Sequence, residues 1–214
     1  MTAIGLISDV HATPGPIRKA LSIFEQAGVE HILCAGDIAG YGDELAESIS
    51  LLVDSGCRTV LGNHDLRYLD HHAGDVADVA ATFFNQLPRS MSLTIAGRRL
   101  HMVHAQPPDD CHGGIKLLDS GGNVVPERVA FWADELKTLD CDVLLVGHTH
   151  QVFAERIGDR LLVNPGSTAF NHSCAILGLP EMTVQVFPLS DEGIQKTWNW
   201  GDHVTGRGSI DGSD

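Results

Sequence analysis

The chain has 214 residues, with 14 Lys and Arg against 28 Asp and Glu, a net charge of −14 and 43% hydrophobic residues. That length suits one domain with at most a small appendage, and the apolar share is enough for a sizeable core, which excludes disorder as a description of the whole. A pI near 5.1 excludes a broad nucleic-acid surface, because neutralising phosphates takes Lys and Arg.

The first two-thirds of the chain alternates strand-like and helix-like segments. Residues 3–8 form an apolar run that stops at Asp9, as a buried parallel strand would. Residues 14–27 carry Ile17, Ala20, Leu21 and Phe24 at helical spacing and end at Gly28, a good helix stop. A strand at 31–35, a helix at 43–54, a strand at 57–61 and a helix at 75–87 follow. Residues 91–95 and 100–104, joined through Ala96-Gly97-Arg98, read as a hairpin. Residues 107–125, rich in Gly and Pro, read as a long functional or mobile loop. A helix at 126–139 and a strand at 142–146 come next. Four short strands at 152–157, 160–163, 175–179 and 183–187 then follow. The pattern predicts one α/β domain over 1–190 and a polar, loosely held tail over 191–214. No apolar run reaches the ~18–20 residues of a membrane span, and no basic stretch precedes the first apolar residues. Five widely spaced cysteines without a CxxC pair fit buried free thiols and predict a cytoplasmic setting.

Residues able to bind metal recur just after the strands. Asp9 and His11 follow the first, Asp37 the second and Asn63-His64-Asp65 the third. His104 ends the hairpin, and His148 and His150 follow the strand at 142–146. Ligands of α/β folds bind beyond the carboxyl ends of parallel strands, so these distant segments are expected to converge. Alone, Asp9-Val10-His11 and Gly36-Asp37 are ordinary turns. Gly147-His148-Thr149-His150 is the sharpest single element, because two His at i and i+2 project to one side of an extended segment. Asn164-Pro165-Gly166-Ser167 alone is a turn.

In this order, the series resembles the motif set of the calcineurin-like metallophosphoesterase superfamily. Its small single-domain bacterial and archaeal phosphodiesterases are the most similar branch, given Gly36-Asp37-Ile38-Ala39-Gly40-Tyr41-Gly42 and the short length. The resemblance implies a two-sheet α/β sandwich flanked by helices. It also implies two divalent transition-metal ions of the Mn, Fe, Zn or Ni type, which suit this carboxylate and imidazole set better than Ca. One ion would take Asp9, His11, Asp37 and His150; the other would take Asp37, Asn63, His104 and His148, with Asp37 bridging. His64, left without a ligand's place, would contact the leaving-group oxygen as the catalytic residue, and Asn63 and His64 would bind substrate. Two dications against two carboxylates and one hydroxide leave about one positive charge, which reconciles an acidic chain with a small phosphoester substrate.

The expected reaction is therefore phosphodiester hydrolysis by direct attack of activated water, without a covalent enzyme intermediate. A phosphomonoesterase or phosphatase is the second reading, although Gly36-Asp37 lacks the Val-Asp-Arg-Gly continuation of protein phosphatases. A non-catalytic scaffold of the same fold is the third, disfavoured because no candidate ligand is substituted. Two features depart from the family pattern: His104 continues into Ala105-Gln106-Pro107-Pro108, and Thr168-Ala169 stands where many relatives carry Pro-Arg. Of the remaining histidines, His101 is expected on the other strand face or solvated, His112 solvated in the loop, and His31, His71, His72, His172 and His203 on the surface or in packing.

Overall fold

The computed structural model describes residues 1–74 and 77–198. Its elements in chain order are β1 (Thr2–Ile7), α1 (Pro14–Gln26), β2 (His31–Cys34), α2 (Leu45–Asp54), β3 (Arg58–Thr59), α3 (Asn63–His71) and α4 (Val79–Phe84). Then come β4 (Ser90–Ile95), β5 (Arg98–Val103), α5 (Pro126–Glu135), β6 (Val143–Leu145), β7 (Val152–Ile157), β8 (Arg160–Pro165), β9 (Ser173–Leu179) and β10 (Thr183–Pro188). They build two five-stranded mixed sheets, ordered β10-β9-β1-β2-β3 and β4-β5-β6-β8-β7.

Side-chain alternation explains the layering. From the first sheet Ile4, Leu6, Leu33 and Leu177 point inward to meet Leu100, Met102, Val143, Leu145 and Val163 of the second. The outer face of the first sheet, with Ile7 and Cys34, is covered by Ile17 and Phe24 of α1, Leu52 of α2 and Phe84 of α4. The outer face of the second carries Leu144, Val146 and Leu162 against Ile115, Leu117 and Leu136. Each such fully buried side chain contributes ~1.5–3 kcal/mol of transfer free energy. Gly5 lets α1 settle on the sheet, since a Cβ there would sit 2.6 Å from the Phe24 ring.

The parallel ladders β1–β2–β3 and β5–β6–β8 run their carboxyl ends toward one edge of the sandwich. The segments that follow β1, β2, β3, β5 and β6 leave from that edge, and these are the five that carry the candidate ligands.

Several elements differ from the sequence reading for identifiable reasons. The strand expected at 57–61 pairs only over Arg58–Thr59, because the chain then bends into α3, a helix not anticipated at all. Asp65 is the only fully buried residue of α3, and the helix's apolar stripe is short, with Leu66, Tyr68 and Leu69 packing half-buried on the core beneath. The helix expected at 75–87 is ordered as α4, whose N-cap Asp78 accepts from the N–H groups of Ala80 and Ala81; residues 75–76 lie outside the described ones. The helix expected at 126–139 ends at Glu135. The segment at 107–125, expected as a long functional or mobile loop, is pinned. Gln151 Oε1 accepts from the N–H groups of Leu117 and Leu118, and Gln151 Nε2 donates back to Leu118 O. Of the expected tail, residues 191–198 are tied to the body through Gln195 N–H to Asn171 O, Val152 N–H to Lys196 O and Trp198 N–H to His150 O. Residues 199–214, with His203, lie outside the described ones. Among the described residues no helix is long and apolar enough to cross a membrane, and all five cysteines are free thiols.

Candidate metal centre

The backbone itself marks the site. Asp9, His11, Asp37, His148 and His150 all adopt positive φ, between +48° and +62°. Holding a non-glycine residue there costs of order 1–3 kcal/mol, and such strain persists only where the surroundings over-determine it. Here the determinants are bonds between the loops: Asp9 N–H donates to Gly36 O, His11 N–H to Asp37 O and Gly147 N–H to His104 O. Two glycines permit the close approach. A Cβ on Gly62 would lie 2.1 Å from Asp37 Oδ1, and one on Gly147 would lie 2.0 Å from Ser8 Oγ.

Both carboxylates are aimed by neighbours. Asp9 accepts from Ser8 Oγ at 2.5 Å and from His148 N–H at 3.1 Å, while Ser167 Oγ donates to the Asp9 carbonyl at 2.6 Å. Asp37 Oδ1 accepts from His64 N–H at 2.8 Å. Asp65 anchors this loop from beneath. Its oxygens accept the N–H groups of Asp37, Ile38 and Ala39 at 2.8–3.0 Å and of Gly62 at 2.9 Å, so the third polar residue of the Asn-His-Asp run holds the backbone around Asp37 in place.

Three imidazoles are held by backbone carbonyls. Nδ1 of His11 donates to Ala39 O at 3.2 Å, Nδ1 of His104 to Ala35 O at 2.7 Å, and Nε2 of His148 to His112 O at 2.7 Å. The opposite ring nitrogen of each therefore turns inward, which is the arrangement that presents a neutral histidine to a metal. His11 Nε2 lies 3.3 Å from His150 Nε2, and His150 Nε2 lies 3.3 Å from Asp9 Oδ1.

Ligand-type atoms gather within 4.8 Å of one another in three overlapping sets: Asp9, His11 and His150; His11, Asp37 and His64; and Asp37, His104 and His148. Asn63 completes the last. Its Oδ1 stands 2.9 Å from His148 Nδ1 and 3.1 Å from His104 Nε2, among polar atoms that also include Asp37 Oδ2 and Cys111 O. The amide oxygen thus faces the inward nitrogens of both imidazoles, where a cation among the same atoms would take it as a ligand. The donor set of carboxylates, imidazole nitrogens and one amide oxygen fits divalent transition metals.

Charge is distributed to match. Burial alone would raise the Asp9 and Asp37 carboxyls, but the imidazoles facing them, His150 for Asp9 and His104 for Asp37, hold both below the usual carboxylate range. Burial lowers His11 to about 4 and also lowers His148, with the charge of His104 adding to it. Burial disfavours charge on His104 as well, but Asp37 outweighs it and holds the imidazole at about 10. At neutral pH the metal-free protein therefore carries a proton on His104, which a metal would have to displace if it bound this imidazole. If His104 is a ligand, apparent metal affinity is expected to rise by about one log unit per pH unit from about 6.5 to 8.5, measured by competition with a chelator of known affinity. A flat dependence would remove His104 from the ligand set.

All seven predicted metal ligands, and His64, lie in this one cluster. His101, by contrast, hydrogen-bonds Ser92 Oγ and Pro108 O away from it, and His72 stacks on Tyr68. His112 contributes its carbonyl to His148, and its residue lines the cavity of about 540 Å³ that opens over the cluster. The sequence reading missed Ser8 and Ser167 as carboxylate and loop supports, and Trp198 as a cavity wall stacked on Phe170 at 4.2 Å. Only topology brings residue 198 beside residue 150.

A family profile, the calcineurin-like phosphoesterase superfamily domain, matches residues 2–179. The chain belongs to that superfamily. A probable metallophosphoesterase of Methanothermobacter thermautotrophicus is 28% identical to this calcineurin-like domain over 169 residues, 77% of this chain and 76% of that protein. Among solved structures, a hypothetical protein from Pyrococcus horikoshii is similar with a TM-score of 0.71 at 16% identity, covering 97% of this chain and 92% of that one. An archaeal phosphodiesterase is similar with a TM-score of 0.58 at 20% identity, covering 88% of this chain and all (100%) of that one. The two-sheet architecture is thus that of the metallophosphoesterases.

Proposed function

We propose that this calcineurin-like domain is a dinuclear metal-dependent phosphodiesterase. The observation that carries the reading is the complete convergence of Asp9, His11, Asp37, Asn63, His104, His148 and His150 around one carboxylate, Asp37, which belongs to two of the ligand-type sets. Two ions of the Mn, Fe, Zn or Ni type, when bound, supply Lewis acidity toward a phosphoryl oxygen and an activated water. Asp9, His11 and His150 would hold one ion, Asn63, His104 and His148 the other, and Asp37 both.

The protein's own groups do the positioning. The His64 N–H fixes Asp37, and the His64 ring, on the second residue of α3, lines the cavity with Asn63. From there it donates a proton to the departing oxygen, on the side of phosphorus opposite the attacking water. A diester is favoured over a monoester because Thr168-Ala169, where many relatives carry Pro-Arg, puts no guanidinium at that position to grip the extra charge of a monoester dianion. The name of the similar archaeal phosphodiesterase and the Ile38-Ala39-Gly40-Tyr41 continuation after Asp37 support the same choice. Five free thiols, four of them buried, support a reducing, cytoplasmic setting.

The test is hydrolysis of bis(p-nitrophenyl) phosphate against p-nitrophenyl phosphate by metal-stripped protein re-supplied with Mn, Zn, Fe or Ni. The diester should be cleaved with kcat/KM at least about tenfold higher, a difference worth ~1.4 kcal/mol in the barrier. A reversed ratio makes the protein a phosphatase, and no turnover with any of the four metals removes the enzyme reading.

A further inference from the structure

The cavity over the cluster, about 540 Å³, falls in the ~300–1,000 Å³ range that encloses ligands of drug size, so the reacting phosphate fills only part of it. Its wall continues from His148 along the 112–120 segment, which begins with the His112 carbonyl on His148 Nε2 and is held by Gln151 at Leu117 and Leu118. Two cations stand on that continuation, Lys116 and Arg128. Arg128 is steered there by donating Nη1 to Leu118 O. Among the described residues neither has a carboxylate within ion-pairing distance; Arg18, Arg99 and Lys137 are the lysines and arginines that do. Asp119, which lines the same cavity, spends Oδ1 on the N–H groups of Gly121 and Asn123, both at 2.9 Å, in its own turn, and feels the Arg128 charge from beyond ion-pairing distance. Two cations without an ion-pair partner among the described residues line one cavity of a chain with net charge −14, and an ammonium and a planar guanidinium on the same cavity are the groups that bind a phosphate dianion.

Resting on the phosphodiesterase reading, we propose that Lys116 and Arg128 form a second anion subsite, and that the preferred substrate is a phosphodiester carrying a further phosphate on one of its arms. The scissile group sits over the cluster and the second phosphate reaches the 116–128 wall. This also gives the missing Pro-Arg pair a consequence, since the grip on substrate charge moves from the reacting phosphate to a remote one.

The probes are p-nitrophenyl alkyl phosphodiesters with straight arms of two to eight carbons, each ending in either a phosphate or a hydroxyl. At the best arm length the phosphate-tipped ester should show kcat/KM about tenfold or more above its hydroxyl-tipped partner, as a charge-assisted contact allows. Lys116→Gln, at an exposed position, and Arg128→Gln should each bring that ratio down, and the double variant should bring it to about one, while Arg128→Lys keeps part of it. A ratio near one at every length in the unaltered protein, or a ratio that survives the double variant, overturns the subsite while bis(p-nitrophenyl) phosphate is still cleaved. Loss of hydrolysis of every diester, bis(p-nitrophenyl) phosphate included, overturns the phosphodiesterase reading and the subsite with it.

Discussion

Asp37→Asn should leave a folded protein that retains at most one ion per chain and loses turnover of an aryl diester by about three orders of magnitude or more. The substitution keeps shape: an amide oxygen can still accept the His64 N–H that Oδ1 accepts at 2.8 Å, and the loop remains anchored by Asp65 on the N–H groups of Asp37, Ile38 and Ala39. What it removes is one of the two carboxylate charges among the seven proposed ligands, and the one shared by both halves of the site. Removing an outer-shell partner of a metal ligand already costs ~10–100-fold in affinity, so losing a bridging charge should cost more. A second readout needs no metal. Asp37 is the main group, with Asp9 and the Ala35 carbonyl, that holds His104 up at about 10 against burial, so in metal-free Asp37→Asn the His104 imidazole should titrate well below its position in the unaltered protein. Metal analysis, diester turnover and an NMR titration of His104 check the three parts. Two ions retained with turnover within about tenfold of the unaltered protein would end the bridging assignment.

How far the sequence announced this arrangement depended on which physical signal each part leaves. The strands before Asp9, Asp37, His104 and His148 are short apolar runs stopped by polar residues, and that pattern follows from burial on both faces, so their ends could be read without the fold. The convergence of those ends follows from parallel pairing of β1 with β2 and of β5 with β6. Helix α3 left no comparable trace. Its apolar stripe, Leu66, Tyr68 and Leu69, is confined to a nine-residue helix that opens on the polar Asn63-His64-Asp65 run, with Asp65 turned inward to loop N–H groups. The role of Asp65 was illegible for the same reason: adjacency to His64 says nothing about direction, and the side chain points to the loop beneath instead of to its neighbour. Lys116, Arg128 and Trp198 were equally silent, because a cation or an aromatic on a loop, or on the solvent side of a helix as in α5, carries no sign of what it faces. The pinning of residues 107–125 by Gln151, the bond from Arg128 of α5 to Leu118 O, and the ties of residues 195–198 to Asn171 and His150 put them on the cavity wall.

His64→Ala separates two roles that the geometry alone leaves joined. The ring stands edge-on to His11 at a centroid distance of 5.0 Å and tilted on Tyr41 at 4.8 Å, and its nitrogen falls in one ligand-type set with His11 and Asp37. If His64 protonates the departing oxygen, both ions stay in its absence, because Asp37, His11 and their supports are untouched. Turnover then falls by ~10²–10⁴, the usual worth of a positioned acid. The fall should also depend on the leaving group. A nitrophenolate departs readily without a proton, so aryl diesters should lose least, whereas a diester expelling an alkoxide needs the proton and should lose most. A ligand role gives the opposite pattern: metal content drops, and aryl and alkyl diesters suffer alike, because the lost Lewis acidity served both. Metal analysis alongside kcat for a p-nitrophenyl and a simple alkyl leaving group therefore decides the matter. Equal losses accompanied by a missing ion would move His64 into the ligand set and leave the departing oxygen without a donor from α3.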